Sequence, residues 1–512
     1  MSSLELSPHG LTLENVVDVA RNYLSVSLSI ELLEKVKKSL AVIEKAVSEE
    51  KTVYGVTTGF GALSDKIIPK GDAEKLQVNL LLSHSAGVGE PLDRETVRAL
   101  MLLRANTLAR GYSGVSPNTI ELIIKMLNRR LHPVVPRKGS VGASGDLAPL
   151  AHVAATMIGE GKVEYQGKIM PSREGLKLAH LNPIRLGPKE GLALINGSQL
   201  VTAIGSLAVH DSENLLKASQ IATALSLEAL NGRLDAFDRR IHMVRPHSGQ
   251  IAVAANIMSI VKGSRILADP TGKRVQDAYS LRCSPQVIGA SKDAIDYARK
   301  VIEVEINSAT DNPLVFAEDG EVLSGGNFHG QPLAIAMDLL AIALCNIGNI
   351  CERRIARLTD ERLSEGLPAF LLKKQGEEGL SSGFMIAQCT AASLAAENRS
   401  LSSPASVNSI PTSANQEDHV SMGLTAATKA REVLRNDEYI VAIELLCAAQ
   451  GLEFRGVGNS GLGTSEAYRA IRKTAPSLDA DAELSPLIEA ATSLVRKGEL
   501  VELVEKKTGN LK

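Results

Sequence analysis

The chain has 512 residues, enough for large cores and several domains. Its 56 basic and 58 acidic residues nearly cancel and form no long run of one sign, which argues against a nucleic-acid or membrane-surface protein. No run of about 18 uncharged apolar residues occurs and no signal-peptide pattern opens the chain, so a cytoplasmic protein is expected.

From Ser29 to Glu49 the apolar residues Leu33, Val36, Leu40, Ile43 and Val47 step by three and four, which predicts an amphipathic helix. The run Val53-Tyr54-Gly55-Val56-Thr57-Thr58-Gly59-Phe60-Gly61 has no period and is punctuated by glycine, so it reads as an ordered loop. Leu76 to Gly89 carries a leucine run followed by Ser83-His84, where a lone histidine reads first as a core or capping residue. Further helices are expected over 94–110 and from Ser116-Pro117 to Arg129.

Gly139-Ser140-Val141-Gly142-Ala143-Ser144-Gly145-Asp146 is built almost wholly of small residues, so the backbone can turn back tightly on itself. Asp146 is a candidate N-cap, and Ala148, Leu150, Val153 and Met157 then recur at helical spacing. The loop would sit at the positive end of that helix. In a turn this tight, the Gly145 amide nitrogen can attack the Ala143 carbonyl carbon and close a five-membered ring. Loss of water from the ring, and of the Ser144 hydroxyl as water, leaves an exocyclic methylidene: an electrophile made from the backbone itself. The plainer reading of the same residues is an anion-binding nest or a flexible loop.

Between Lys162 and Pro188 short Val/Tyr/Ile runs broken by glycine and proline predict a small hairpin and a connector. That border suggests two domains, an N-terminal one over 1–190 carrying the small-residue loop and a helical one over 191–512. Glu190 to Leu230 contains no proline and ends at Asn231-Gly232, which reads as one very long helix with a left-handed cap. Long helical stretches follow over 331–362, 384–401 and 419–454, a shorter one over 291–307, and a polar helical pair over 478–507. Aromatic residues make up 3% and tryptophan is absent, so the core must be aliphatic and alanine-rich. Such helices bury their stripes on one another, which predicts a mainly α fold, an elongated bundle. The five cysteines, Cys283, Cys345, Cys351, Cys389 and Cys447, form no CxxC pair and read as free thiols, and the ten histidines show no metal-ligand spacing.

Four blocks in this half carry chemistry. Asn196-Gly197-Ser198-Gln199 has the residues of an ordinary helix cap. Gln276-Asp277-Ala278-Tyr279-Ser280-Leu281-Arg282 spaces glutamine, tyrosine and arginine by three, which would put them on one helical face, and a guanidinium fork suits a carboxylate. Ser324-Gly325-Gly326-Asn327-Phe328-His329-Gly330 leads into a long helix, and Asn415-Gln416-Glu417-Asp418 places acids where they serve a helix dipole.

The run from Gly139 to Leu150 resembles the prosthetic-group signature of the aromatic amino acid ammonia-lyase family, and the resemblance continues in blocks from about Tyr54 to Met422. The resemblance implies the aspartase/fumarase type of helix bundle and a 4-methylidene-imidazol-5-one group (MIO) formed autocatalytically from Ala143, Ser144 and Gly145, with no external cofactor and no metal. It gives Tyr54 the role of general base in a mobile inner loop and sets Tyr279 near the prosthetic group. Asn196, Gln276 and Phe328 fall to the substrate site, and Arg282 to the substrate carboxylate. It also implies a homotetramer whose active sites are shared between subunits. Ser83-His84 and Gln416-Glu417 resemble the histidine-specific form, so His84 and Glu417 would select an imidazole ring and the reaction would convert L-histidine into urocanate and ammonia. A phenylalanine or tyrosine ammonia-lyase, or an aminomutase with the same group, is the neighbouring alternative; a non-catalytic helical scaffold is a more distant one. Thr57, where asparagine is common in the histidine enzymes, and Ser403 and Asn408, where histidine and aspartate are usual, depart from the pattern.

Overall fold

The computed structural model describes residues 3–268, 274–374 and 379–512. Helix accounts for 61% of the chain, which makes the fold mainly α as the periodic stretches require. The chain divides into two compact units: Met1–His210 with Arg299–Asp338 and Pro404–Thr428, and Asp211–Ala298 with Leu339–Ser403 and Lys429–Lys512. The first unit therefore takes in residues on both sides of position 190.

In the first unit, the helix Ile30–Ser48 starts where its cap residue predicts, with Ser29 Oγ accepting from the Leu32 amide at 3.3 Å. The helix Arg94–Ala109 is buried from Thr96 to Ala109 and forms the middle of this unit. Its two buried arginines are tied to surrounding backbone: Arg98 donates to Val19 O at 2.8 Å and Leu127 O at 3.1 Å, and Arg104 to Ala193 O. The expected hairpin is present as Lys162–Tyr165 and Lys168–Pro171 in antiparallel register, joined by His132–Pro133 as a third strand. A short helix, Ser172–Leu178, occupies part of the expected connector.

The single helix expected over 190–230 is instead two, Glu190–Ile195 and Gln199–Ala229. The break has a tertiary cause. Gly197 takes φ of +156° and pairs in a parallel bridge with Gly145. A Cβ there would lie 2.3 Å from Gln199 Oε1 and 2.5 Å from Arg104 Nη1, so only glycine fits. The far end follows expectation: Asn231 is left-handed at φ +49°, and Gly232 N donates to Leu227 O at 2.8 Å.

In the second unit, three long helices meet at a buried ion pair. Glu444, on Gly423–Arg455, accepts from Arg354 Nη2 at 2.9 Å and from Ser226 Oγ at 2.7 Å, and neither charged side chain is exposed. The helix Gln331–Thr359 is long and apolar enough to cross a membrane by length and composition, yet 72% of its most apolar window is buried within the protein, as in a core helix. The C-terminal pair is Ser485–Arg496 and Glu499–Thr508, separated by the left-handed Gly498. All five cysteines are free thiols.

Candidate active site

The small-residue loop lies in the first unit and is held from several sides. Ser144 and Gly145 adopt consecutive left-handed conformations, φ +58° and +74°, after Gly142 at +71°. The Asp146 amide donates to Gly197 O at 2.7 Å, Met422 N donates to Val141 O at 2.8 Å, and Gly330 N donates to Gly142 O at 3.0 Å. Ser421 Oγ donates to the same Gly142 carbonyl at 2.9 Å. Packing around Gly145 is so close that a Cβ would fall 2.1 Å from the Gly197 carbonyl oxygen.

These anchors bring four helix starts to one loop. Leu147–Met157 begins directly after it; Gln199–Ala229, Gln331–Thr359 and Gly423–Arg455 begin within two residues of Gly197, Gly330 and Ser421. Sequence predicted one such helix end. Each carries roughly half a positive charge in its first turn, and the converging dipoles favour negative charge developing at the loop.

Asp146 differs from its expected role. It occupies the N-cap position of Leu147–Met157 but makes no side-chain cap there. Its carboxylate Oδ2 instead accepts from the Leu200 and Val201 amides at 2.9 and 3.0 Å, capping the neighbouring long helix, and Oδ1 accepts from Ser140 Oγ at 2.7 Å. Burial pushes its pKa up to about 6, against the pull of those hydrogen bonds.

Around this loop stand most of the residues singled out in the sequence. Ser144 Oγ donates to Glu417 Oε1 at 2.7 Å across 273 residues of chain. His84 pairs through Nδ1 with Ser83 Oγ at 3.0 Å, and burial lowers its pKa while the charge of nearby Glu417 pulls the other way. Burial thus disfavours the charged form of this imidazole. Asn196 is buried beside Gly197, and its Oδ1 has no hydrogen-bond partner among the described residues. An orphaned acceptor at this depth fits a group not yet in place.

Tyr54 sits in the expected ordered loop, its hydroxyl accepting from Gly61 N at 3.0 Å and its ring edge-on to Phe60 at 6.5 Å. That loop abuts the segment of Glu417, because a Cβ on Gly61 would lie 2.7 Å from Ser413 Oγ. Phe328 is half-buried in the segment that reaches the loop through Gly330.

Gln276, Tyr279 and Arg282 belong to the second unit. The shared helical face expected for them does not form: the helix there is only Tyr279–Arg282, and Gln276 lies outside it. The arrangement that replaces it is local. Arg282 Nε donates to Asp277 O at 2.9 Å, and its guanidinium lies 4.6 Å from the ring centre of Tyr279, which is 71% exposed. Sequence reasoning missed Ser140, Gly197, Thr412 and Ser421, whose signal was only an ordinary turn composition.

The model for the aromatic amino acid lyase family matches residues 11–473, and the chain belongs to that family. A histidine ammonia-lyase from Alkaliphilus oremlandii (strain OhILAs) is 52% identical over 506 residues, covering 99% of each protein. Among solved structures, the histidine ammonia-lyase of Trypanosoma cruzi is similar at a TM-score of 0.92 and 40% identity, over 99% of this chain and 96% of that one. A tyrosine aminomutase from Streptomyces globisporus gives a TM-score of 0.94 at 38% identity over the whole of both chains. The backbone is thus common to different activities, and side chains must separate them.

Proposed function

We propose that this protein is a histidine ammonia-lyase that converts L-histidine into trans-urocanate and ammonia without oxidation, the first step in breaking histidine down. The observation that carries the reading is the contact between Ser144 and Glu417 at 2.7 Å, with half-buried His84 close enough to feel the Glu417 charge. A loop suited to becoming an electrophile stands against a carboxylate and an imidazole, the polar partners that a buried imidazole ring needs and a phenyl ring does not.

The residues fit the MIO group. Ala143, Ser144 and Gly145 are already turned by two left-handed residues, and the bond to the Gly197 carbonyl is made by the Asp146 amide, not by the Gly145 nitrogen that closes the ring. When present, the group supplies an electrophile that turns the substrate's amine into a better leaving group. Tyr54 takes the β-proton as general base. Arg282 binds the α-carboxylate with its fork of donors, with Tyr279 close to the prosthetic group. Asn196 and Gln276 bind polar parts of the substrate, Phe328 packs beside it, and His84 and Glu417 hold the imidazole nitrogens.

The chain acts as a homotetramer with active sites shared between subunits, needs no metal, nucleic acid or membrane, and works in the cytoplasm. Exposed apolar side chains on the long helices, Ile335 at 48% and Ile386 at 62%, support the assembly, and five free thiols suit a reducing compartment. Mixing Tyr54→Phe with Ser144→Ala subunits is expected to restore activity in hybrids; a fully active monomer by light scattering would contradict it. The specificity test follows urocanate, cinnamate and coumarate in parallel for wild type, His84→Leu and Glu417→Gln. Urocanate alone as an efficiently formed product of wild type, with large losses in both variants, supports the reading. Efficient cinnamate or coumarate formation overturns it in favour of the phenylalanine/tyrosine or aminomutase alternative.

A further inference from the structure

Both oxygens of Glu417 are engaged, by hydroxyls with different fates. Oε1 accepts from Ser144 Oγ at 2.7 Å, and Oε2 accepts from Thr412 Oγ1 at 2.6 Å. Thr412 and Glu417 also close a tight hairpin: Thr412 N donates to Glu417 O at 2.9 Å and Glu417 N to Thr412 O at 3.3 Å. Within that hairpin Ser413, Ala414 and Asn415 are all left-handed, at φ +51°, +51° and +67°. Three consecutive non-glycine residues in this region are strained, and such strain persists only where surrounding contacts over-determine the backbone. Here the two backbone bonds and the Thr412 side chain do so, and the result is a carboxylate fixed in one orientation.

The Ser144 bond cannot outlast maturation. Loss of water from Ser144 breaks its Cβ–Oγ and Cα–H bonds and makes a Cα=Cβ bond, so the hydroxyl that occupied Oε1 departs in the water formed. The Thr412 bond is untouched. We infer that Thr412 is a positioning residue for substrate selection: it retains Oε2 of Glu417, so that Oε1, vacated by Ser144, becomes the acceptor reserved for an imidazole N–H. The inference rests on the histidine reading above and extends it to a residue that acts through Glu417. It also explains why the turn tolerates its strain, since a freely rotating glutamate would offer no fixed acceptor.

The test uses full-length Thr412→Val, which removes the hydroxyl at nearly constant volume, and Thr412→Ser, which keeps it. Initial rates are measured with L-histidine and L-phenylalanine, alongside intact mass and thermal midpoint. Thr412→Val is expected to raise KM for histidine about ten-fold or more, the scale of one charge-assisted hydrogen bond. Its trace turnover of phenylalanine and its mature mass should match wild type, and Thr412→Ser should restore most of the histidine KM. Histidine preference retained in full by Thr412→Val overturns the role of Thr412 alone. Equal losses on both substrates with a lowered thermal midpoint overturn it too, because they mark a merely structural residue. A wild type without preference for histidine overturns the reading of the site itself.

Discussion

Replacing Asp146 separates the loop's support from its chemistry. Its carboxylate accepts from Leu200 N, Val201 N and Ser140 Oγ in a site without solvent exposure. In Asp146→Ala these three donors lose their partner; at about 1–3 kcal/mol for each buried group left unsatisfied, partly relieved by relaxation, the loss should total about 3–5 kcal/mol. Asp146→Asn retains one acceptor oxygen and should lose less. The pH dependence gives an independent signature. Burial raises the folded pKa of Asp146 to about 6 from the ordinary 3.8, so the folded state binds this proton more tightly than the unfolded chain. Its ionised form therefore costs stability above pH 6, and that cost is relieved as pH falls from 6 toward 3.8. The full difference is about 3 kcal/mol, of which roughly 1 kcal/mol should return between pH 7 and pH 5. The assay is urea unfolding of wild type and Asp146→Asn at both pH values, reading the difference between the two proteins so that other titrating groups cancel. A wild type that loses stability relative to Asp146→Asn on acidification would refute the reasoning, as would an Asp146→Ala protein as stable as wild type.

Three further outcomes are expected. His132 has its pKa lowered to about 4 by burial and by Arg98, whose Nη1 donates to its Nε2 at 3.2 Å. The stability from keeping it neutral is present above pH 6.5 and lost as pH falls toward 4, about 3 kcal/mol in all, so His132→Asn should flatten acid unfolding in that window. In Gly142→Ala the new Cβ would sit 2.2 Å from Ser421 Oγ at a φ of +71°, so a lower thermal midpoint and incomplete maturation by intact mass are expected. Tyr54→Phe should lower turnover at least about 100-fold with little change in melting, because its hydroxyl makes one bond, to Gly61 N; unchanged turnover would remove Tyr54 from the base role.

Much of this fold could be read from local signals. Ser29 caps its helix, Asn231 closes another in a left-handed conformation, and the run from Gly139 to Asp146 is an anchored tight loop. Departures arose where long-range contacts overrode local preference. The helix over 190–230 breaks because Gly197 must meet Gly145, a constraint from 52 residues away that leaves no periodic trace. Asp146 caps the helix that starts at Gln199, not its own, because that helix start is folded against it. The hairpin at Thr412 has three left-handed residues without one glycine among them, so turn composition could not reveal it. Gln276 failed to join Tyr279 and Arg282 because the helix there is one turn long. The candidate site residues Ser144, Glu417 and His84 were named from the family resemblance; spacing alone could not pair Ser144 with Glu417, 273 positions apart.

The most direct test of the account is the intact mass of the purified, unreacted protein. Ring closure between Ala143 and Gly145 with dehydration of Ser144 removes two waters, so wild type should be lighter than its sequence by about 36 Da, with no enzyme or cofactor added. Ser144→Ala should return nearly the unmodified mass, keep its helical content and lose most activity on L-histidine. A wild-type chain at its plain sequence mass would contradict the account, whatever its activity.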